Sequence, residues 1–227
     1  MKNIHTTQGY QLNDNEIISL QEKVGKWYDN ISRPYLTRIL DVVYAALARF
    51  PRVWAIRVDL RFAQDISDES PDLLMCLQRT DHKVITRFFA SLKSQLREVH
   101  RRKGKTGTPD LFEYIWVREQ DGGGYPHYHL ALLFNKDEYA FLGDYRDSGA
   151  DNMATRIQKA WCSALGLEYP HYASLVHFPK NGVYVIDKRS ATVHSESYLN
   201  FLIRIAYLAK VYTKDINDGY RNIGCSQ

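Results

Sequence analysis

Residues 126–134 place two histidines, His127 and His129, at the start of an otherwise apolar run. The run has the length of a β-strand, and strand side chains alternate between faces, so both imidazoles are expected on one face of a sheet. Two imidazoles at this spacing can bind one metal ion, whereas a purely structural pair would bond to backbone and solvent. The shared face favours ligands, and the segment therefore predicts a sheet with a metal site.

The hydrophobic period changes along the chain and predicts the order of the elements. Helical spacing covers residues 15–29 and 34–50, Pro51 ends the second helix, and strict alternation follows in residues 54–62. Further predicted elements are a helix at 81–101, strands at 111–117 and 128–134, a helix at 152–165, strands at 174–178 and 183–187 around a turn at 179–182, and a helix at 195–214. We expect an α+β fold: a helical N-terminal extension (1–51) and a domain (52–227) with one mainly antiparallel sheet and packed helices.

Composition limits the class of protein. The 227 residues are 44% hydrophobic, which is enough for one sizeable core. No apolar run approaches the ~20 residues of a membrane helix, and the polar start lacks the apolar core of a secretory signal. We expect a cytoplasmic protein with no membrane partner, whose cysteines Cys76, Cys162 and Cys225 are ordinary thiols.

A third metal ligand is expected at Glu119. It precedes His127 by eight residues on the neighbouring strand of a predicted hairpin, whose turn contains the glycines at 122–124. A carboxylate is a usual partner of imidazoles on a divalent ion, although a solvated residue at a hairpin end has equal weight on spacing alone. Asp59, on the charged face of the first strand, is a candidate further ligand or a residue that orients one. An ion pair with Arg57 or Arg61 explains Asp59 at least as well.

The last predicted helix offers a nucleophile. Helical spacing places Tyr207 on one face with Arg204, Lys210 and Lys214. Cations favour a phenolate and also bind phosphate, as a tyrosine that attacks a phosphodiester requires. A solvated, lysine-rich outer face is the commoner meaning of such a pattern taken alone. Tyr212 falls on the apolar face, and we expect it in the core.

A basic cluster lies at the end of the 81–101 helix. It consists of Arg97, Arg101, Arg102, Lys103 and Lys105. Such a cluster can bind phosphates. Without other evidence, cations that complement the helix dipole in solvent are the better interpretation.

Three motifs in order resemble those of HUH endonucleases: the strand at 54–62, residues 116–129 with their His-Tyr-His core, and residues 207–214. The sequences of these motifs are most similar to those of the inovirus-type replication proteins of filamentous phages and prophages. The similarity covers about residue 52 to the C-terminus. The resemblance implies a five-stranded antiparallel sheet of the RRM-like palm type, and Mg²⁺ or Mn²⁺ held by His127, His129 and Glu119. It also implies that Tyr207 attacks the scissile phosphate, leaving a 5′-phosphotyrosyl link and a free 3′-OH, while Lys210 stabilises the charge that builds up.

The same resemblance implies an enzyme that nicks and rejoins single-stranded or hairpin origin DNA and so initiates rolling-circle replication. No Walker motif is present, so a host helicase and polymerase are expected partners. A relaxase or transposase, a non-catalytic DNA-binding regulator on the same fold, and a water-using phosphoesterase are the alternatives. The expected DNA contacts are the five residues of the basic cluster together with Arg204 and Lys214.

Overall fold

The computed structural model describes residues 8–63, 78–109, 111–120, 124–214 and 218–226. Its helices are α1 (Asp14–Tyr28), α2 (Arg33–Arg49), α3 (Val84–Arg102), α4 (Met153–Leu165), α5 (Lys188–Thr192) and α6 (Glu196–Ala206), with 3₁₀ helices at Ala173–Leu175 and Tyr207–Ala209. Its strands are β1 (Arg52–Leu60), β2 (Phe112–Glu119), β3 (His127–Asn135), β4 (Val176–His177), β5 (Val183–Asp187) and β6 (Ile223–Cys225). The predicted α+β class is confirmed. No helix in the described ranges is both long and apolar enough to cross a membrane.

The strands form one sheet in the order β4-β1-β3-β2-β6, in which every pairing is antiparallel and β5 also pairs with β1. The sheet has six strands, whereas five were predicted, because the three residues of β6 are too short for a periodic pattern to be recognised. Strands β4 and β5 pair with successive parts of the same edge of β1. Both predicted strands are therefore present, but they form one interrupted edge strand, so the predicted pairing of the two around residues 179–182 is wrong. Asn181, with φ of 54°, lies in the loop that separates them.

Both faces of the sheet are covered by helices. One face packs against α3 and α4 through residues such as Trp54 and Leu130. The opposite face packs against α1, α2 and α6. The face of β1 that was predicted to be charged is therefore inside the protein, and Arg57 and Asp59 are only 5% and 8% exposed. Buried charges must be paired, so the charged residues on this face mark a candidate functional site.

The N-terminal helices belong to the same core as the sheet. Leu36 and Ile39 of α2 are fully buried in one cluster with Ala131 and Leu133 of β3. The boundary predicted at residue 51 falls inside this cluster, since Phe50 and Val53 on its two sides are both in it. Helix α1 is itself well defined at its start, where Asn13 and Glu16 form a capping box.

The last helix is shorter than predicted. Helix α6 ends at Ala206, a 3₁₀ turn covers Tyr207–Ala209, and extended backbone at Lys210 pairs with Ile31 between α1 and α2. The backbone bonds there are Ser32 N–H to Ala209 O (2.9 Å) and Val211 N–H to Asn30 O (3.0 Å). The helical spacing beyond 206 was thus misleading, because these tertiary bonds replace helical ones. Tyr212 is 61% exposed, so its predicted core position is wrong.

We predict that Leu36→Ala lowers the free energy of unfolding by about 2–5 kcal/mol, because it leaves a cavity between α2 and the sheet. The neighbouring exposed Thr37 provides the matched control, and Thr37→Ala should change stability by less than about 0.5 kcal/mol. Urea unfolding followed by circular dichroism measures both. A loss below about 0.5 kcal/mol for Leu36→Ala would show that α2 is dispensable to the core.

Candidate metal and tyrosine site

The strand register brings four side chains together at one end of the sheet, on the face that packs against α1, α2 and α6. Glu119 of β2 pairs with His127 of β3, and Asp59 of β1 pairs with His129. The placement expected from the eight-residue spacing of Glu119 and His127 is thus present in the structure. The hairpin turn that was predicted between these strands lies largely outside the described residues, which omit 121–123.

The two histidines and Glu119 have the geometry of a metal site. His129 Nε2 lies 3.2 Å from His127 Nε2 and 3.3 Å from Glu119 Oε2, and the His127-to-Glu119 distance is 3.9 Å. Ligand atoms that each lie about 2 Å from one ion must lie within roughly 4 Å of each other, as these do. Both carboxylate oxygens of Glu119 are buried without a hydrogen-bond partner of good geometry in the described part of the chain. The donor set fits a divalent ion such as Mn²⁺ or Mg²⁺.

Asp59 orients a ligand. Its Oδ1 lies 2.5 Å from His129 Nδ1, which directs His129 Nε2 towards His127 and Glu119. Its Oδ2 lies 3.2 Å from His177 Nδ1, and Arg57 Nη2 lies 3.6 Å from Oδ1. Burial raises the pKa of Asp59, but the hydrogen bond and charge of His129, followed by Arg57 and His177, lower it to about 2. Asp59 is therefore ionised at neutral pH, and both the orienting role and the ion pair with Arg57 are present.

Glu119 is a buried anion between cations. Its side chain is fully inaccessible, with Lys210 Nζ 2.8 Å from Oε2 and Lys214 Nζ 3.6 Å from Oε1. Burial raises its pKa, but His129, Lys210 and Lys214 outweigh burial and hold the pKa below its usual range. The alternative of a solvated residue at a hairpin end is therefore wrong. Glu119 stays ionised and able to bind a cation.

Tyr207 lies beside this cluster. Lys210 Nζ donates a 2.7 Å hydrogen bond to the Tyr207 hydroxyl and lies 2.8 Å from Glu119, so one ammonium joins the tyrosine to the carboxylate. The Tyr207 ring packs edge-on against Tyr28 at 4.7 Å, and the Arg57 guanidinium lies 5.3 Å from the ring centre. Burial raises the pKa of Tyr207 by more than Lys210 lowers it. Contrary to the expectation from the surrounding cations, Tyr207 is a neutral phenol in this arrangement.

The predicted DNA contacts divide into separate groups. Lys214, predicted as a DNA contact, is buried beside Glu119 with a side chain only 1% exposed. Arg204 is half-buried, and its backbone carbonyl lies 3.5 Å from the Arg57 guanidinium. Neither residue presents an open cationic surface.

The basic cluster at the end of α3 lies far from the histidines. Arg101 and Arg102 pair with Glu98, Lys105 pairs with Glu138 just beyond β3, and Lys103 is exposed. The loop from the cluster leads into the start of β2, whereas the site is at the end of β2, about 25 Å away for an eight-residue strand. The cluster and the site are therefore separate features.

Two residues of the site were not predicted as members of it. They are Arg57, which was considered only as an ion-pair partner of Asp59, and His177. Arg57 lies two residues before Asp59 on β1, so the period of two that placed Asp59 on the site face also places Arg57 there. His177 belongs to the two-residue strand β4 and carries no pattern that links it to Asp59. Only the tertiary pairing of β4 with β1 identifies it.

Together, the fold and the site define an α+β protein whose antiparallel sheet carries a Glu-His-His cluster opposite a tyrosine and a lysine. The chain belongs to the YagK/YfjJ C-terminal domain family, whose model matches residues 13–226 and so includes the N-terminal helices. It is 39% identical over 197 residues to "Uncharacterized protein YagK" of Escherichia coli (strain K12), which covers 85% of this chain and 92% of YagK. It is 35% identical over 198 residues to "Uncharacterized protein YfjJ" of the same strain, with 85% and 93% covered. No solved structure matches the chain.

We predict that His129→Ala abolishes binding of Mn²⁺ and that Asp59→Asn weakens it by about 10–100-fold, since a neutral amide holds the imidazole less firmly. His171, an exposed histidine paired with Glu168, supplies the control variant His171→Ala. Isothermal titration calorimetry and the electron paramagnetic resonance of free Mn²⁺ measure the affinity. Equal loss in the His171 and His129 variants would contradict the assignment.

Proposed function

We propose that this protein is a metal-dependent endonuclease that uses Tyr207 to nick and rejoin single-stranded DNA, in the initiation of rolling-circle replication of a phage, prophage or related mobile element. One observation carries the proposal. The hydroxyl of a half-buried tyrosine, Tyr207, is joined through Lys210 to the carboxylate of a Glu-His-His cluster that fits a divalent ion. Cleavage of a phosphodiester by a tyrosine requires the nucleophile and a phosphate-binding centre to lie close together.

The residues have distinct roles in this proposal. His127, His129 and Glu119 would hold the ion, which would polarise a phosphoryl oxygen. Asp59 fixes the orientation of His129 through the 2.5 Å contact. Tyr207, whose hydroxyl accepts a hydrogen bond from Lys210, supplies the nucleophile.

The covalent step balances in atoms and charge. Tyr207 Oη forms a bond to phosphorus while the bond from phosphorus to the 3′ oxygen breaks, which gives a 5′-phosphotyrosyl ester. The phenolic proton goes to solvent, and the departing oxygen takes a proton from solvent to become the 3′-OH. The reverse reaction rejoins the strand without ATP, because the ester retains the bond energy.

Lys210 is suited to hold both the nucleophile and the developing charge. Burial lowers its pKa, but Glu119 and Tyr207 outweigh burial and keep the pKa above its usual value. Lys210 is therefore a permanent cation whose ammonium contacts the attacking oxygen. A positive charge at that point stabilises the extra negative charge on the pentacovalent phosphorus.

The alternatives use the same residues differently. A relaxase or transposase would share the chemistry and differ in the DNA it recognises. A water-using phosphoesterase would leave Tyr207 without a role, and a non-catalytic regulator would not need a buried carboxylate beside two imidazoles. The contact of Tyr207 with Lys210 favours the tyrosine mechanism over these last two. A host polymerase would extend the 3′-OH, and a host helicase would supply unwinding.

We predict that the protein forms a covalent adduct with labelled single-stranded origin DNA in the presence of Mn²⁺, and that EDTA and Tyr207→Phe each abolish it. Denaturing gels detect the adduct. Lys210→Met should slow its formation by about 100-fold or more, because the attacking oxygen and the phosphorane lose their cation.

Tyr212→Phe is the matched control. This exposed tyrosine lies five residues further on, with its ring centre 5.0 Å from Lys210 Nζ, so it tests whether a second nearby phenol is the nucleophile. The adduct should persist in Tyr212→Phe. An adduct that survives Tyr207→Phe would overturn the assignment of the nucleophile, and no adduct from the wild type across a library of prophage origins would overturn the function.

A further inference from the structure

A long groove follows the edge of the sheet formed by β2 and β6. It consists of three adjoining concavities of about 1210, 690 and 390 Å³, and Trp116 lines all of them. Thr86 of α3 also lines all three, while Tyr220 and Arg221 line the two larger ones. The groove is thus one continuous surface feature bounded by α3 and the C-terminal segment.

Aromatic rings are presented along this groove. Tyr220 is 53% exposed, with His82 stacked on it at 5.5 Å and the Arg118 guanidinium 5.4 Å from its ring centre. The half-buried Trp116 lies directly on Gly224, where a Cβ atom would come within 2.5 Å of the indole. Only glycine leaves room for the indole at this position. Both rings are held in place by packing, which lowers the entropy cost of stacking on a ligand.

The described residues that line the groove carry a net positive charge. Each carboxylate among these described residues is paired with a cation: Glu113 pairs with Arg49, Asp81 with Arg87, and Asp218 with Arg118. Four further cations have no carboxylate within ion-pair distance among residues 8–63, 78–109, 111–120, 124–214 and 218–226. They are Arg38, Lys93, Arg97 and Arg221.

One end of the groove lies at the same end of β2 and β3 as the metal and tyrosine site. Gln120 and Pro126 line its end, and they are the immediate neighbours of Glu119 and His127. Neighbouring residues of a strand point to opposite faces, so Trp116 and Tyr128 in the groove lie across the sheet from Glu119 and the histidines. A DNA strand bound in the groove would turn around this end of β2 and β3 to reach the cluster. Fixed aromatic rings, unpaired cations and an open trough are the features that bind single strands of nucleic acid without regard to sequence.

We propose that this groove binds single-stranded DNA next to the scissile phosphate, with Trp116 and Tyr220 stacking on bases and Lys93, Arg97 and Arg221 contacting phosphates. The identity of the ligand rests on the proposed nicking function. Binding in the groove can be tested separately, because it needs neither the metal nor Tyr207. Of the basic cluster recognised in the sequence, Arg97 alone takes part.

Fluorescence anisotropy of a labelled oligo(dT) in EDTA tests binding without cleavage. Tyr220→Ala should weaken binding by about ten-fold, as expected for the loss of one stacked base. This exposed residue can be removed without harm to the core. Trp116→Leu should weaken binding similarly, while Trp116→Phe, which keeps an aromatic face, should restore most of it. Duplex DNA should bind more weakly than the single strand, because its bases are not free to stack.

The salt dependence of binding tests the cations. Each phosphate contact on a single strand contributes about 0.7 to the slope of log affinity against log salt, so neutralising Lys93, Arg97 and Arg221 to Gln should reduce the slope by about 2. Arg101→Gln combined with Arg102→Gln is the matched control on the same helix, since both arginines pair with Glu98 outside the groove. The control pair should leave the slope unchanged.

The two proposals fail in different ways. If the wild type binds oligo(dT) and the groove variants bind as tightly as it does, or if duplex binds as tightly as single strand, the groove assignment is overturned whatever the adduct assay shows. If the groove variants lose binding but the wild type forms no adduct with any origin, the groove stands and the nicking function falls. If both hold, groove variants form the adduct only at raised DNA concentration.

Discussion

The buried carboxylate of Glu119 is the constraint on which the rest of this structure depends. Taking an anion out of water costs several kcal/mol unless cations and hydrogen-bond donors surround it. Here His129 comes from the sheet, and Lys210 and Lys214 come from the segment after α6. Lys210 in turn pairs through its backbone with Ile31, between α1 and α2. The sheet, the C-terminal segment and the N-terminal helices therefore all contribute to one site, and the helices are needed to hold the tyrosine segment in place.

The sequence predicted the features that follow from the local hydrophobic period. It did not predict features that tertiary hydrogen bonds determine, such as the end of the last helix. The spacing of Glu119 and His127 across a hairpin was enough to place them in register, because antiparallel pairing fixes the partner once the turn is located. The sequence correctly predicted that Tyr207 and Lys210 lie together, but it assigned them to the face of an α-helix. The chain leaves the helix at Ala206, and a 3₁₀ turn places the lysine ammonium on the phenol. No pattern within 195–214 could reveal that, because the bonds that end the helix are made by residues 30–32.

Burial decides the chemistry of the site more than the count of charges does. Positive neighbours alone suggest a phenolate at Tyr207, yet desolvation keeps it a phenol. The same desolvation lowers the pKa of Lys214 to about 8, although Glu119 acts against it. Lys210, which contacts both Glu119 and Tyr207, remains firmly charged. In the proposed reaction, a phenol that stays neutral until DNA binds would be protected from side reactions, and the Lys210 ammonium would already be positioned for the charge that the reaction creates.

Nearness along the chain is a poor guide to the residues of the nucleic-acid surface that we propose for this protein. Lys103 and Lys105 follow Arg97 by only six and eight residues, but they lie past the end of α3 towards the start of β2, away from the histidines. Arg97 faces Lys93 and Trp116 in the groove, where Arg221 approaches from the other end of the chain. A phosphate backbone interacts with charges that lie along one trough, and the carboxylates there are already neutralised by their own partners. Arg221 follows Lys93 and Arg97 by more than a hundred residues, so only the folded sheet edge brings these cations together.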